Sequence, residues 1–254
     1  MKHVMLISVL VMSAFSINAQ LSTPDIIQTT VGPLTIQPIE HASLVLRVHG
    51  VTIYADPTGP DKYKGMAAPN IILITDIHGD HFDVKSIDAL KTPTTILIVP
   101  QAVADKLPEA DKNNNLVILK NGASTTQAGM SIAAIPMYNL PESATAMHTK
   151  GRGNGYVINT GGKNIYISGD TQGIPEMRAL KNIDIAFVCM NLPYTMDVKE
   201  AADAVLEFKP VIVYPYHYRG QNGFSDVNAF KTLIEAGSKK IEVRLKNWYP
   251  AQAK

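Results

Sequence analysis

The segment TDIHGDHFD, residues 75–83, decides which fold and which kind of site we expect for this chain. It directly follows the apolar run Ile71–Ile74, and a short run of this kind is typical of a strand buried on both faces. Four side chains that can bind a metal ion fall within six residues of the segment: Asp76, His78, Asp80 and His81. Imidazole and carboxylate ligands together suit zinc, manganese or iron. The segment therefore predicts a metal site at a strand end, with a solvated polar loop as the alternative.

Two other predicted strands also end beside an ionisable residue. The strand Asn164–Ser168 is followed by Asp170, and the strand Val211–Tyr214 is followed by His217. Sites of α/β sheets form at the carboxyl ends of parallel strands. Taken singly, Asp170 is also a common turn or helix-cap residue, and His217 is equally a hydrogen-bonded structural histidine.

The histidines of the chain are concentrated at these positions. His148 lies in Leu140 to Gly155, the longest stretch without a predicted element, and long loops of compact domains are often functional. By itself it would be interpreted as a surface histidine. Of the six histidines that follow residue 19, only His41 and His49 fall outside the candidate set. The co-occurrence favours one shared metal site.

Short apolar strands alternate with amphipathic helices along the rest of the chain. The predicted strands are Leu34–Ile39, Leu44–Val48, Val51–Tyr54, Ile71–Ile74, Thr95–Val99, Leu116–Leu119, Ile132–Ile135, Tyr156–Asn159, Asn164–Ser168, Ile183–Val188 and Val211–Tyr214. The predicted helices are Val84–Leu90, Ala102–Leu107, Pro175–Leu180, Val198–Phe208 and Val227–Ala236. Pro38 predicts that the first strand lies at a sheet edge, and Ser225 is the expected N-cap of the last helix.

Each half of the chain begins with hairpin-like strands and continues into strand–helix alternation. We therefore expect one α/β domain over residues 20–254, built as a four-layer αββα sandwich of two mixed sheets with outer helices.

Composition excludes several classes of protein. Hydrophobic residues make up 46% of the 254 residues and charged residues 18%, which is enough for one large core. Lys and Arg number 23 against 22 Asp and Glu, so the basic surplus of a nucleic-acid binder is missing and no nucleic-acid partner is expected. The single cysteine, Cys189, excludes an intrachain disulfide and a Cys-rich zinc site. A metal would be held by His, Asp or Glu.

The first residues have the pattern of a secretory signal peptide. Lys2 precedes the apolar run Val4–Ile17, and Ala19 is a small residue at the expected cleavage position before Gln20. A helix of fourteen residues would span about 21 Å, short of the ~30 Å hydrocarbon core, so a transmembrane anchor is disfavoured. We expect residues 1–19 to be removed, leaving an exported protein, periplasmic or secreted, that is not stably inserted in the membrane.

The order Asp-x-His-x-Asp-His, then His, then Gly-Asp-Thr, then His resembles the metallo-β-lactamase fold superfamily. The resemblance is closer to its lactonase-like branch of metal-dependent hydrolases, similar to the ascorbate-6-phosphate lactonase group. It is carried also by EHAS at 40–43, DP at 56–57, YISGDT at 166–171 and YPYHY at 214–218, and it covers roughly residues 33–249.

The resemblance implies a role for each ligand. The first metal would take Asp76, His78 and His148. The second would take Asp80, His81 and His217, and Asp170 would bridge both. One position departs from the family, which usually has histidine where this chain has Asp76. A carboxylate there is a harder ligand, so it favours manganese or iron over zinc or weakens the first site.

The implied chemistry is hydrolysis. One or two divalent ions, with zinc the first expectation, would activate water to hydroxide for attack on an ester, lactone, amide or phosphodiester bond of a small-molecule substrate. Asp80 would orient the nucleophile. The residues expected to line the substrate pocket are His41, Asn191, Tyr194 and Tyr218. The alternative is a non-catalytic relative of the same fold that binds a metal or ligand.

Overall fold

The computed structural model describes residues 21–113 and 115–250. The predicted signal peptide, residues 1–19, lies outside the described residues. No helix within the described ranges is long and apolar enough to cross a bilayer.

The first sheet contains seven strands that pair in chain order. They are β1 (Asp25–Thr29), β2 (Gly32–Glu40), β3 (Ser43–Val48), β4 (Val51–Ala55), β5 (Ile71–Leu73), β6 (Ile96–Val99) and β7 (Leu116–Ile118). Strands β1 to β4 pair antiparallel, and β4 to β7 pair parallel. The sheet is therefore mixed, and its parallel half begins one strand before the segment at 75–83.

The second sheet also contains seven strands, in the spatial order β16-β13-β12-β11-β10-β9-β8. They are β8 (Ser124–Gln127), β9 (Met130–Met137), β10 (Gly153–Thr160), β11 (Lys163–Ile167), β12 (Ile185–Cys189), β13 (Ile212–Tyr216) and β16 (Glu242–Val243). The pairs from β8 to β11 are antiparallel, and those from β11 through β12 and β13 to β16 are parallel. A short antiparallel pair of two-residue strands, β14 (Arg219–Gly220) and β15 (Gly223–Phe224), follows β13.

Five α-helices connect the strands within the described residues. They are α1 (Val84–Leu90), α2 (Gln101–Ala104), α3 (Pro175–Arg178), α4 (Val198–Phe208) and α5 (Val227–Gly237), with short 3-10 turns at Pro60–Tyr63 and Glu109–Asp111. The predicted bounds of the first and fourth helices are confirmed.

Alternation along the buried strands builds the layers. Ile71 and Leu73 of β5 join the core that contains Ile165 of the second sheet. Ile72 and Ile74 point to the other face, where they pack with residues of α1 and α2 such as Ile87. Successive strand residues point to opposite faces, so one face of the sheet meets the other sheet and one meets helices.

The second sheet has its own helical cover. Tyr166 points to the opposite face of β11 from Ile165, and its ring packs edge-on against Phe208 of α4 with 5.9 Å between centroids. Helices thus cover the outer faces of both sheets. The predicted αββα architecture of two mixed sheets is confirmed.

Two local predictions were wrong, and one strand was missed. Pro38 does not place β2 at an edge, because β1 pairs with β2 only over residues 32–36 and Pro38 lies beyond that pairing, beside a β-bulge. The N-cap of α5 is Asp226, whose carboxylate accepts from the backbone of residues 228 and 229, while the Ser225 hydroxyl donates to the carbonyl of Met190. β1 itself, DIIQT, was not predicted.

The two sheets are joined by hydrogen bonds next to the segment at 75–83. The Tyr156 hydroxyl of β10 donates to the Ile74 carbonyl at 2.8 Å, and the Asn154 amide donates to the Thr75 carbonyl at 2.9 Å. Gly153 permits this approach, since a Cβ there would lie 2.8 Å from the Thr75 oxygen. The start of β10 is therefore fixed against the loop that follows β5.

Candidate metal centre

The candidate ligands lie where parallel strands end. Asp76 follows β5, Asp170 follows β11, and His217 directly follows β13. Asp170 is reached through Gly169, which has φ +60° and whose added Cβ would meet the Met137 sulfur at 2.7 Å. The sandwich thus brings residues 47 to 141 positions apart in the chain to one edge.

Asp170 lies at the middle of the cluster. Its Oδ2 is 3.4 Å from Nε2 of His81 and 3.3 Å from Nε2 of His148, and its Oδ1 is 3.4 Å from Nε2 of His217. Two ligands of one metal ion lie within ~5 Å of each other. The distances from the Asp170 carboxylate to the His81 and His217 imidazoles are both below this limit. One buried carboxylate therefore faces three imidazoles that come from three different loops.

The cluster has two halves. The second half, His81, Asp170 and His217, also has Asp80 beside it. Oδ2 of Asp80 is 3.3 Å from Nε2 of His217, and its Oδ1 is 3.9 Å from Nε2 of His81. The Asp80 side chain keeps 44% of its surface exposed, whereas His81, Asp170 and His217 are buried. Asp80 is thus the carboxylate of this half that faces solvent.

The first half contains Asp76, His78 and His148, whose ligand atoms lie within 4.8 Å of one another. Nδ1 of His78 is 2.6 Å from Oδ2 of Asp76, and Nε2 of His148 is 3.8 Å from the same oxygen. Arg152 also contacts this carboxylate, with Nε 3.2 Å from Oδ1 and Nη2 3.2 Å from Oδ2. Asp76 is therefore both a candidate ligand and one partner of an ion pair.

His148 is held in place by Asn139, which follows β9. The Asn139 side-chain oxygen accepts from the His148 amide at 2.8 Å, and the Asn139 amide donates to the His148 carbonyl at 2.9 Å. Its side-chain nitrogen donates to the backbone oxygen of Tyr194. Asn139 is thus committed to fixing the backbone of the long loop.

The unpaired atoms of this cluster fit a cation. Among the described residues, Nε2 of His81, Nε2 of His148 and Oδ1 of Asp170 are buried and have no hydrogen-bond partner. A buried polar atom without a partner costs about 1–3 kcal/mol. These atoms converge on Asp170, and imidazole with carboxylate is the ligand set that suits zinc, manganese or iron. The residues present therefore fit a metal centre.

Electrostatics keep the carboxylates of the centre ionised. Burial raises the pKa of Asp170, but the His217 and His81 imidazoles outweigh it and hold that pKa well below its ordinary value. Burial raises the pKa of Asp80 too, but the hydrogen bond with His217 and the nearby His81 and His217 imidazoles together lower it. Conversely, burial lowers the pKa of His217, but Asp170 raises it above the ordinary value. Metal binding to such a set is coupled to proton release from imidazole.

His41 lies at the rim of the second half, in the turn between β2 and β3. Its ring contacts the His217 ring, with 5.4 Å between centroids. One ligand atom each of His41, Asp80 and His217 lie within 4.8 Å of one another, close enough to bind one cation together. Nη2 of Arg219 donates to Nε2 of His41 at 2.5 Å, which makes this nitrogen an acceptor. Burial, followed by His217 and Arg219, lowers the pKa of His41 to about 4. His41 is therefore neutral near pH 7.

The other pocket candidates differ in their relation to the centre. Nδ2 of Asn191 lies 3.3 Å from Nε2 of His217 and 3.5 Å from Oδ2 of Asp170, so it contacts the ligands directly. The Tyr218 hydroxyl instead accepts from the Trp248 amide at 3.2 Å and donates to the Lys246 carbonyl, which ties it to the C-terminal segment. Tyr194 is linked to the loop of the centre through its backbone, because its carbonyl accepts a hydrogen bond from the Asn139 side chain.

Sequence analysis missed Asp56 as a functional residue. Its carboxylate is fully buried and lies 2.9 Å from Nδ1 of His81, with further hydrogen bonds from the amide and hydroxyl of Thr75. Metal-binding histidines usually donate their other ring N–H to a carboxylate of this kind. The motif DP at 56–57 was part of the resemblance, but the sequence contains no local signal that pairs residue 56 with residue 81.

Comparisons with known proteins agree with this fold. The sequence profile of the family described as "Beta-lactamase superfamily domain" matches residues 35–217. A UPF0173 metal-dependent hydrolase of Pyrococcus abyssi is 30% identical over 190 residues, which cover 73% of this chain and 81% of that protein. The crystal structure of a candidate metal-dependent hydrolase from Parabacteroides distasonis has a TM-score of 0.79 at 38% identity and covers 89% of this chain and 98% of that one. Igni18, a metallo hydrolase from Ignicoccus hospitalis, has a TM-score of 0.70 at 22% identity over 84% of this chain and 94% of its own, a likeness of fold alone.

A two-sheet sandwich with imidazole and carboxylate groups at its strand ends, matched by that family profile, defines a protein of the metallo-β-lactamase superfamily. Within the superfamily, the chain belongs to the UPF0173 family of metal-dependent hydrolases.

Proposed function

We propose that this protein hydrolyses an ester, lactone, amide or phosphodiester bond of a small molecule outside the cytoplasm. The observation that carries the proposal is the position of Asp170, whose carboxylate lies 3.3–3.4 Å from the imidazoles of three histidines: His81, His148 and His217. A buried carboxylate shared by three imidazoles is the arrangement expected of a ligand common to two ions. The lactone is included because of the resemblance to the ascorbate-6-phosphate lactonase group.

Two sets of residues would hold the ions. Asp76, His78 and His148 form one set. The other contains His81, Asp170 and His217, with Asp80 beside them. Zinc is the proposed metal, with manganese or iron as the alternatives, because histidine and carboxylate side chains supply every proposed ligand. When bound, a divalent ion of this kind lowers the pKa of coordinated water and polarises the substrate oxygen.

The chain's own residues would then orient water and substrate. Asp80 is the partly exposed carboxylate of the second half, and its lowered pKa keeps it an acceptor at neutral pH. It is therefore placed to accept a hydrogen bond from the attacking water. Asn191 is buried against Asp170 and His217, and its amide limits the orientations of both side chains. His41 is neutral and lies at the rim, where its ring can contact substrate.

A turnover panel tests the proposal. Purified protein, loaded separately with zinc, manganese or iron, is assayed on one chromogenic ester, one lactone, one anilide and one phosphodiester. Asp80→Asn keeps the size of the side chain but removes its charge, and we expect it to lower kcat by roughly a hundredfold, the usual scale for a positioned acid or base. Asp203→Asn, on the exposed face of α4, is the matched control. Metal binding without turnover on any of the four substrates would support the non-catalytic alternative.

A further inference from the structure

Arg152 and Asp76 form a two-point ion pair inside the first half of the centre. Nε and Nη2 of Arg152 each lie 3.2 Å from a different oxygen of the carboxylate. Nη2 also donates to the Met147 carbonyl at 2.6 Å, so the guanidinium is held from two sides. The Asp76 side chain is fully buried, and the Arg152 side chain is 19% exposed. Planar, two-point contacts of this kind are the strongest form of carboxylate–arginine pairing.

The backbone fixes this pair in place. Arg152 directly precedes Gly153, where β10 begins, and Asp76 directly follows Thr75. The Asn154 amide donates to the Thr75 carbonyl at 2.9 Å, so a backbone hydrogen bond joins the two chain segments next to the pair. The pair therefore belongs to the junction between the sheets and is no chance contact of two surface side chains.

The other half of the centre has no such cation. Among the described residues, the carboxylates of Asp80 and Asp170 make ion pairs with histidines alone, without Lys or Arg within 4.0 Å. Lys150, the other cation of the long loop, lies against Glu142 and Glu176 instead. The two halves consequently differ in whether a permanent cation contacts a ligand carboxylate: Arg152 contacts Asp76, whereas Arg219 in the second half contacts the His41 ring and no ligand carboxylate.

We propose that Arg152 makes the centre unequal: one ion binds tightly at Asp80, His81, Asp170 and His217, and a second binds weakly at Asp76, His78 and His148. The guanidinium is always protonated and occupies acceptor positions on both Asp76 oxygens. It therefore neutralises Asp76, the carboxylate that belongs to the first half alone, and repels a cation bound beside it. The inference rests on the metal centre of the proposed function.

Metal titration tests this inference without an activity assay. Metal-free protein is titrated with zinc in a calorimeter, and the retained zinc is measured after dialysis against a chelator of intermediate affinity. We expect wild-type protein to retain about one equivalent and to bind a second at least ~10-fold more weakly, the scale on which groups around ligands alter metal affinity. Two equivalents of equal affinity would overturn the inference but leave the proposed function intact. No zinc binding at all would overturn the proposed function itself.

Arg152→Met removes the charge and keeps an apolar side chain of similar length. We expect the second equivalent to bind ~10-fold or more tightly than in wild type, so that two equivalents survive dialysis. Zinc should also raise Tm more in this variant than in wild type, because a tighter site stabilises the folded state more. Arg47→Met, at an exposed position of β3, is the matched control and should behave as wild type. Loss of the second equivalent in Arg152→Met would overturn the inference, since Arg152 would then be orienting Asp76 as a ligand.

A second neutral variant covers the case in which Arg152→Met leaves too little folded protein. Arg152→Gln keeps side-chain N–H donors for Asp76 but carries no charge, so the buried carboxylate retains a hydrogen-bond partner. It should reproduce the tighter second equivalent. A second affinity unchanged from wild type would show that the charge of Arg152 does not set the inequality and would overturn the inference.

Discussion

Nδ1 of His81 lies 2.9 Å from Oδ2 of Asp56, a residue 25 positions earlier in the chain. Asp56 precedes β5, and His81 follows it. The same carboxylate accepts from the Thr75 amide at 2.7 Å and from the Thr75 hydroxyl at 2.6 Å. Because Nδ1 is used in this way, Nε2 of His81 is turned toward Asp170. The relation between Asp56 and His81 therefore orients a candidate ligand toward Asp170, the middle of the proposed centre.

Asp56→Asn tests this orienting role. The variant keeps the size of the side chain but loses the charge that fixes the His81 ring, so we expect metal affinity to fall by 10- to 100-fold. Competition with a chromogenic chelator measures the affinity, and circular dichroism checks that the fold is retained. Asp105→Asn, a change at an exposed carboxylate of α2's end, is the control. An unchanged affinity in folded Asp56→Asn would show that His81 is oriented by packing alone.

Asp25 supplies a prediction about pH and stability away from the metal centre. Its Oδ2 accepts from the Tyr214 hydroxyl at 2.7 Å and from Nη1 of Arg244 at 3.0 Å, which joins β1 to the second sheet. Burial raises the pKa of Asp25, but these two hydrogen bonds outweigh it and lower the pKa below 3.8. The folded pKa is below the unfolded one, so this stabilisation is present above pH 3.8 and is lost as the pH falls through the folded pKa.

We therefore expect Asp25→Asn to lower the free energy of unfolding by about 1 kcal/mol at neutral pH, the usual size of one such hydrogen bond. The difference from wild type should shrink as the pH falls below 3.8. Urea unfolding of metal-free protein at several pH values measures both quantities. A difference that stays constant down to low pH would contradict the titration of Asp25 as its source.

Export is predicted from the apolar run Val4–Ile17 and the small residue Ala19. We expect mature protein to begin at Gln20 or within one or two residues of it, and to be recovered outside the cytoplasm. Intact-mass spectrometry of protein from its native source checks the new terminus. Lys2 and Lys85 offer a matched comparison, because a charge reversal at Lys2 should slow processing while one at the exposed Lys85 should not. Recovery of a form that retains Met1 from the cytoplasm would refute the prediction.

Most of the fold could be predicted from hydrophobic periodicity. Val84–Leu90 and Val198–Phe208 have the bounds expected for them, because each begins at an aspartate cap that sets the first turn. β1 was missed because its half-buried positions hold Asp25, Ile27 and Thr29 while Ile26 is exposed, so apolar and polar residues do not alternate along it. The prediction from Pro38 was wrong because a proline prevents strand pairing only at its own position. The pairing of β1 with β2 stops at Ile36, two residues before Pro38.

The site could be predicted only in part, for a physical reason. The ligand types fall in short motifs after apolar strands, so Asp76 and Asp170 are visible in the sequence. The groups that orient or neutralise them are not, since Arg152 meets Asp76 from 76 positions away and Asp56 meets His81 from 25. Such contacts depend on which residue of one strand lies beside which residue of another, and this register arises from tertiary packing.

The central claim is that Asp170 is a ligand shared by both halves of a metal centre. Metal analysis of wild type, Asp170→Ala and His148→Ala after identical loading and dialysis tests it most directly. We expect wild type to retain at least one ion per chain, Asp170→Ala to retain the least metal of the three, and both variants to keep a native circular dichroism spectrum, because the apolar core does not depend on a metal. Folded Asp170→Ala that retains as much metal as wild type would contradict the account.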